Sequence, residues 1–166
     1  WMMGDVDSVF AKCTTSLAHI EAEDTAVVVL KFRNGALGVI EATTATRPKD
    51  LEGSISILGE RGTVEIGGFA VNHMRTWAFV DPQPGDETVL EHFSENPPNV
   101  YGFGHQAYYE HIVDCITSDR RQLVDGLEGR KSLELISAIY ESAETGREVA
   151  LRFRPRLCRL GQGSAP

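Results

Sequence analysis

An Asn-Gly pair between two long apolar segments constrains this chain more than any other feature. Residues 23–33 and 36–46 are rich in β-branched and aliphatic side chains, and Asn34-Gly35 lies between them. Because both residues of the pair tolerate the positive φ of a type I′ turn, they predict a two-residue hairpin. The expected cross-strand pairs are Arg33 with Ala36, Phe32 with Leu37, Leu30 with Val39, and Val28 with Glu41.

Both faces of this hairpin are largely apolar, since side chains alternate across a strand. The first face is predicted to carry Ala26, Val28, Leu30, Phe32, Leu37 and Val39, and the second Thr25, Val27, Val29, Lys31, Ile40 and Ala42. A sheet with one solvated face would instead alternate apolar and polar residues. We therefore expect helices to cover one face and a partner subunit or another domain to cover the other. The pattern does not decide which face the helices cover.

The remaining elements predict the fold class. Further strands are expected at Val6–Ser16, Glu52–Leu58, Thr63–Ile66, Met74–Val80, Thr88–Phe93 and Glu148–Phe153. Helical spacing of apolar residues follows at Gly104–Ser118 and Leu127–Thr145, the second capped by Asp125 and Gly146. This predicts an α+β fold: an open, mostly antiparallel (mixed) sheet of six or more strands, two helices packed on one face, and no Rossmann domain. Residues 1–153 are expected to form the domain, and residues 154–166 a flexible tail.

Charge and cysteine usage exclude several classes of partner. The net charge of −8 argues against binding nucleic acid or an anionic membrane, because both need a basic surface. The cysteines Cys13, Cys115 and Cys158 are widely spaced, without a CxxC pair, which is typical of a reducing compartment. No apolar run approaches the ~20 residues needed to span a bilayer. We expect a cytoplasmic protein.

No catalytic, cofactor-binding or metal motif is present in these residues. The sequence has no G-x-S-x-G, P-loop or H-E-x-x-H pattern and no dinucleotide-binding fingerprint. The glycines at 35, 38, 59, 62, 67 and 68 lie at hairpin turns or inside strands and are interpreted as turn residues. His105 and His111 lie six residues apart on one predicted helix, hence on different faces, so a shared metal is not expected. Glu41 is either a carboxylate in a cleft or a residue at the rim of an interface.

The loop before the first long helix is the main candidate for ligand binding. His105 follows the Pro- and Gly-rich residues 96–104 and sits in the first turn of the helix. A helix start offers N–H groups and partial positive charge suited to phosphate or carboxylate. The alternative is that His105 only caps the helix. Arg47 and Lys49 are the nearest local positive charges, unless they belong to a solvated loop.

Three segments resemble a known family. Residues 23–48, 55–66 and 104–151 are similar to the C-terminal domain of the Gfo/Idh/MocA family of NAD(P)-dependent oxidoreductases, which act mostly on CH–OH groups of sugars and cyclitols. Asp125–Gly146, with the pattern D-G-x-E-G-R-K-x-L-E-L-I-x-A-I-Y-x-S-A-x-T-G, is the most specific segment. The resemblance covers nearly the whole chain.

The resemblance implies that the chain is part of a longer enzyme. In the family, a Rossmann domain, a catalytic Lys and a catalytic His precede this domain, and Trp1-Met2-Met3-Gly4 matches the end of the catalytic helix. No family catalytic residue has a counterpart here. The chain alone is therefore expected to be inactive and to bind no cofactor, while the parent uses NAD or NADP. The alternative is a stand-alone, non-catalytic oligomerisation or interaction module.

A shorter resemblance concerns the substrate. Residues 96–105, NPPNVYGFGH, are similar to a loop of dehydrogenases that oxidise the 3-hydroxyl of UDP-N-acetylglucosamine-derived uronic acids. It implies a sugar or sugar-nucleotide site. The substrate-binding candidates are Asn99, Tyr101, His105 and Arg47. Alternatively, Tyr101 and Phe103 pack the loop onto the sheet. The expected protein partner is a second copy of the chain, bound through the sheet face that helices leave exposed.

Overall fold

The computed structural model describes residues 2–152, which fall into two compact units. Of the described residues, 2–46 and 123–152 form the first unit, and Arg47–Gln122 form the second. None of the helices within residues 2–152 combines the length and the apolar character that crossing a bilayer requires.

The first unit is an antiparallel sheet with one long helix. Its elements are β1 (Val6–Thr14), β2 (Thr25–Phe32), β3 (Leu37–Thr43), α3 (Gly126–Thr145) and β7 (Val149–Ala150). The strands run in the order β3-β2-β1-β7, and α3 packs against β1 and β7.

The second unit is a three-stranded antiparallel sheet with short and long helices. Its elements are β4 (Ile55–Gly59), β5 (Gly62–Gly67), β6 (His73–Phe79), a 3₁₀ helix (Asp86–Thr88), α1 (Val89–His92) and α2 (Gly104–Thr117). The strands run in the order β4-β5-β6.

The predicted α+β class, with open and mostly antiparallel strands, is confirmed. The described strands form two sheets, of four and three, where the sequence suggested one. The connection between β3 and β4 contains Pro48 and Gly53, which suit a strand poorly and interrupt the ladder. Accordingly α3 belongs to the first unit and α2 to the second. The predicted boundary between Phe153 and the tail lies outside the described residues.

The predicted turn of the central hairpin is wrong by one residue. Its loop has three residues, because Phe32 N–H donates to Ala36 O (2.9 Å) and Gly35 N–H donates to Phe32 O (2.9 Å). Of the pair, only Gly35 has a positive φ, of 91°. This is a type I turn closed by a left-handed glycine, the usual three-residue hairpin. The Oδ1 atom of Asn34 accepts the Ala36 N–H at 3.0 Å and stabilises the turn.

The one-residue shift moves every side chain of β3 to the opposite face. Lys31 pairs with Leu37, Val29 with Val39, Val28 with Ile40, and Val27 with Glu41, so the four pairs expected from a two-residue turn are wrong. Gly38 and Ile40 thus lie on the face covered by α3. The other face carries Leu37 and Val39 (73% and 65% exposed), together with Phe10, Val27 and Val29, which are also exposed. We call these five apolar residues the uncovered face.

The core of the first unit lies between the sheet and α3. It comprises Val9, Ala11, Val28, Leu30, Phe32, Ala138 and Val149. The hydroxyl of buried Ser142 joins helix to sheet, since its Oγ accepts the Ala11 N–H (2.9 Å) and donates to Arg147 O (2.6 Å). The predicted caps of α3 are confirmed: Asp125 accepts two N–H groups, and Gly146 has a φ of 65°.

The strand predicted at Thr88–Phe93 is wrong, because this segment forms the 3₁₀ helix and α1. Asp86 starts the helical turn by accepting hydrogen bonds from Gln83 N–H (2.6 Å) and Trp77 Nε1–H (2.7 Å). Thr88 Oγ1 adds a bond to Gly85 O at 2.9 Å. These local bonds outweigh the strand preference of the apolar residues that follow.

Asp24 is expected to stabilise the first unit in a pH-dependent way. Its side chain is buried, and Oδ2 accepts the N–H groups of Ser16 (2.8 Å), Leu17 (2.6 Å) and Ala18 (3.0 Å). These bonds, led by that from Leu17, lower its pKa from 3.8 to about 2. Since the folded-state pKa is depressed, the stabilisation is complete above about pH 4 and is lost as the pH falls towards 2.

We therefore predict that Asp24→Ala lowers the melting temperature at pH 7 by about 5 °C or more. The difference from the unmodified protein should shrink when melting is followed by circular dichroism near pH 2. Asp7→Ala is the matched control, since the Asp7 side chain forms an exposed ion pair with Lys31. A melting temperature at pH 7 that Asp24→Ala leaves unchanged would contradict the assigned role.

Candidate functional site

The predicted ligand loop, residues 96–105, is anchored at its first residues. Asn72 Nδ2 donates to Glu95 O (2.9 Å) and to Asn96 Oδ1 (3.0 Å), and His73 Nε2 lies 2.9 Å from the same Oδ1. Pro97, the next residue, is buried. We call Asn72, His73 and Asn96 the loop clamp. It fixes the start of the loop to the start of β6.

The tip of the loop is a tight turn that displays aromatic side chains. Asn99 Oδ1 accepts the Tyr101 N–H at 3.0 Å, and Asn99 O accepts the Gly102 N–H at 3.2 Å. Gly102 has a φ of 68°, which favours glycine at this position. The side chains of Tyr101 and Phe103 are 73% and 56% exposed. Within the loop Pro97 is buried, whereas these two aromatic rings are exposed.

The start of α2 adjoins this tip. The helix begins at Gly104 without a side-chain cap, and its first turn contains no acidic residue. His105 is exposed and does not act as the cap. Its ring meets that of Tyr101 edge to face, with centroids 6.0 Å apart and planes at 83°. Exposed N–H groups at a positive helix end, beside an imidazole and a phenol, suit an anionic and hydroxylated ligand.

The structure thus brings three of the four candidate residues together. Asn99, Tyr101 and His105 are joined by the turn and by the ring contact. Arg47 is exposed and is the first residue of the same unit. The segment that follows it is fixed by Glu52, whose Oε2 accepts the Gly68 N–H (2.8 Å) and pairs with Arg75. The hydrogen bond from Gly68 and the pairing with Arg75 lower the pKa of Glu52.

The anchoring residues were not predicted from the sequence. Asn72, His73, Glu52 and Arg75 all surround the Gly67-Gly68 pair, which the sequence indicated only as a strand break. The sequence feature that could have indicated these anchoring residues is the Gly67-Gly68 pair itself. Adjacent glycines within a sheet often mark close approach of another group, as well as a turn.

Other clusters in the described residues do not contain the candidates. A cavity of about 460 Å³ in the first unit is lined by Arg33, Lys131 and Glu134, among others. The Oε1 atom of Glu134 is buried and has no hydrogen-bond partner among residues 2–152. The buried Cys115 thiol lies 3.5 Å from His111 Nε2 within α2. Residues 2–152 hold no group of three or more His, Cys, Asp or Glu side chains placed to bind a metal ion.

Comparison with a family model assigns nearly the whole chain. Residues 1–151 match the model GFO_IDH_MocA_C, described as the oxidoreductase family, C-terminal alpha/beta domain. Among curated proteins, D-apiose dehydrogenase of Rhizobium rhizogenes is 26% identical over 160 residues, which are 90% of this chain and 44% of that protein.

Two solved structures are more similar. The WlbA dehydrogenase from Bordetella pertussis, in complex with NADH and UDP-GlcNAcA, is 45% identical with a TM-score of 0.84, covering 92% of this chain and 44% of its own. WlbA from Chromobacterium violaceum, also in complex with NADH and UDP-GlcNAcA, is 45% identical with a TM-score of 0.82. The match covers 92% of this chain and 42% of that one. The chain thus spans less than half the length of each of these proteins.

Proposed function

The chain belongs to the Gfo/Idh/MocA oxidoreductase family as its C-terminal alpha/beta domain, and from this premise we propose that it is the substrate-binding and oligomerising part of an NAD(P)-dependent sugar-nucleotide dehydrogenase. The observation that carries the proposal is the exposed cluster of Asn99, Tyr101 and His105 at the start of α2. Arg47 is the proposed source of permanent positive charge.

Each candidate has a role that follows from its chemistry. Tyr101 offers a ring face for a base or sugar and a hydroxyl for hydrogen bonding. The Oδ1 atom of Asn99 already holds the turn, so its two side-chain N–H donors are assigned to sugar hydroxyls. His105 and the helix start receive an anionic group, either phosphate or carboxylate, and Arg47 supplies charge for the diphosphate.

The proposed reaction divides between this chain and the rest of the parent protein. A CH–OH group of the sugar becomes a carbonyl when its hydride passes to the nicotinamide of NAD⁺ or NADP⁺ and its hydroxyl proton passes to a base. We assign the cofactor site and that base to the rest of the parent. The present chain binds and orients the sugar nucleotide.

The substrate class that we favour is a UDP-N-acetylglucosamine-derived uronic acid, oxidised at its 3-hydroxyl. Support comes from the 45% identity to two WlbA dehydrogenases whose complexes contain NADH and UDP-GlcNAcA. We also propose that the uncovered face joins copies of the chain, because it exposes Phe10, Val27, Val29, Leu37 and Val39 together. The free thiols of Cys13 and Cys115 accord with a cytoplasmic location.

The test is turnover by the whole protein, with this chain joined to the residues encoded upstream of it. We expect reduction of NAD⁺ or NADP⁺, followed by nicotinamide absorbance, when UDP-N-acetylglucosaminuronate is added. The present chain alone should show no turnover and no saturable micromolar response in a nicotinamide fluorescence titration with NADH. A whole protein inactive with every sugar nucleotide would contradict the proposal and favour a stand-alone, non-catalytic interaction module with the same fold. A chain that binds NADH by itself would contradict the assigned division of labour.

A further inference from the structure

The two segments that carry the candidate residues are both fixed to the turn between β5 and β6. The loop clamp joins Asn72 and His73 to Asn96, and Glu52 is bonded to Gly68 and Arg75. We infer that Asn72 and His73 are positioning residues that act through Asn96 to hold Tyr101 and His105 in their substrate-binding arrangement. This inference rests on the proposed function.

The hydrogen bonds of the clamp form a connected chain. Asn72 Oδ1 accepts the Ala70 N–H at 3.2 Å, while Asn72 Nδ2 donates to Glu95 O and Asn96 Oδ1. Asn72 therefore bridges the turn and the loop with both ends of its amide. Asn96 Oδ1 accepts from Asn72, and an amide oxygen has no hydrogen to donate. His73 Nε2 must therefore carry a hydrogen and donate it to the same Oδ1 atom. Asn96 thus receives two donors on one atom.

The backbone of the turn is shaped to admit these side chains. Gly68 has a φ of +96°, and a Cβ there would lie 2.7 Å from both Asn72 Oδ1 and His73 Cδ2. A side chain at residue 68 would force Asn72 or His73 to shift, and the positive φ also favours glycine there. Val71 in the same turn has a φ of 53°, an unfavourable conformation for a β-branched residue. Strained backbone persists where surrounding contacts over-determine it, often near functional sites.

The clamp should restrict the tip of the loop because the tip itself is exposed. Asn99, Val100 and Tyr101 are all exposed, and Pro97 is the buried residue between clamp and tip. Released at Asn96, the loop retains Pro97 and the start of α2 as its fixed points. Tyr101 and His105 would then sample more positions, which weakens substrate binding without removing any group that touches the substrate.

The test compares His73→Leu with His73→Gln in the whole enzyme, because the glutamine amide can place an N–H donor where Nε2 lies. We expect His73→Leu to raise KM for UDP-N-acetylglucosaminuronate about threefold to tenfold, the loss associated with one hydrogen bond. The KM for the nicotinamide cofactor should not change, and His73→Gln should return the sugar KM to within about twofold of the original value. Asn96→Ala removes the acceptor of both donors, so it should raise the sugar KM at least as much as His73→Leu, and the double variant should be no worse than Asn96→Ala alone.

Hydrogen–deuterium exchange separates this inference from the proposed function. Amides of residues 99–105 should exchange faster in His73→Leu and normally in His73→Gln, while those of β1 stay unchanged. Unchanged exchange in the loop of His73→Leu would overturn the inference. Faster exchange with an unchanged sugar KM would also overturn it, because the loop would be clamped without serving the substrate. Absence of turnover by the original enzyme would refute the proposed function. The hydrogen–deuterium exchange measurement would still decide whether the clamp holds the loop.

Discussion

Replacing Val29 by aspartate is expected to dissociate the assembled protein into single chains. Val29 lies in the middle strand of the uncovered face, between Phe10 on β1 and Val39 on β3. In a single chain it is 46% exposed, so an aspartate there remains hydrated and the fold survives. In an assembly joined through this face, the same carboxylate would be buried without a partner.

The expected effect is large because an uncompensated charge in an interface costs about 4 kcal/mol, roughly a thousandfold in the dissociation constant. Sedimentation velocity at tens of micromolar should show an oligomer for the original protein and a folded monomer for Val29→Asp. Leu58→Asp is the matched control, because Leu58 is 80% exposed but lies on β4 of the other unit. A monomeric original protein, or an oligomer that survives Val29→Asp, would show that this face is not the interface.

The sequence predicted the apolar character of both sheet faces and the residues that β2 places on each, but not those that β3 places on each. The pattern of β2 was sufficient to separate Val28 and Leu30 from Val27 and Val29. The faces of β3 depended on the length of the hairpin loop, and Asn34-Gly35 suits a two-residue turn as well as the three-residue loop that forms. A single residue in the loop decided whether Val39 or Ile40 faces α3.

Some features of the candidate site could likewise be predicted from the sequence, and others could not. The Pro- and Gly-rich loop and the start of α2 at Gly104 were predictable, because turn residues and helical spacing are local signals. The clamp was not, since Asn72 and His73 reach Asn96 across 24 and 23 residues of sequence. Such contacts depend on how β6 and the loop pack. The exposure of Tyr101 was likewise undetermined, because an aromatic residue in a loop packs inward as readily as it binds a ligand.

The second large effect is expected from the tip of the loop. Tyr101→Phe removes a hydroxyl, and His105→Ala removes an imidazole at the start of α2. If each contributes roughly 1.4 kcal/mol to binding the sugar nucleotide, either change raises KM or lowers kcat about tenfold. Both side chains are exposed, and the ring contact between them is their described side-chain contact. The melting temperature and the affinity for NAD should therefore stay unchanged.

Two controls isolate the position from the chemical change. Tyr109→Phe deletes an exposed hydroxyl from the same helix, and His92→Ala deletes an exposed imidazole at the end of α1. Neither residue belongs to the loop. We expect both control variants to keep the kinetic constants of the original enzyme within about twofold, well below the tenfold change expected at the tip.

Steady-state kinetics of Tyr101→Phe and His105→Ala in the whole enzyme, with UDP-N-acetylglucosaminuronate varied at saturating NAD, test most directly whether this chain carries the substrate site. We expect about a tenfold loss in kcat/KM for the sugar nucleotide in each variant, with unchanged melting temperatures and unchanged NAD affinity. Two variants that melt several degrees lower and keep their kinetic constants would show instead that the loop is structural and that the sugar site lies elsewhere.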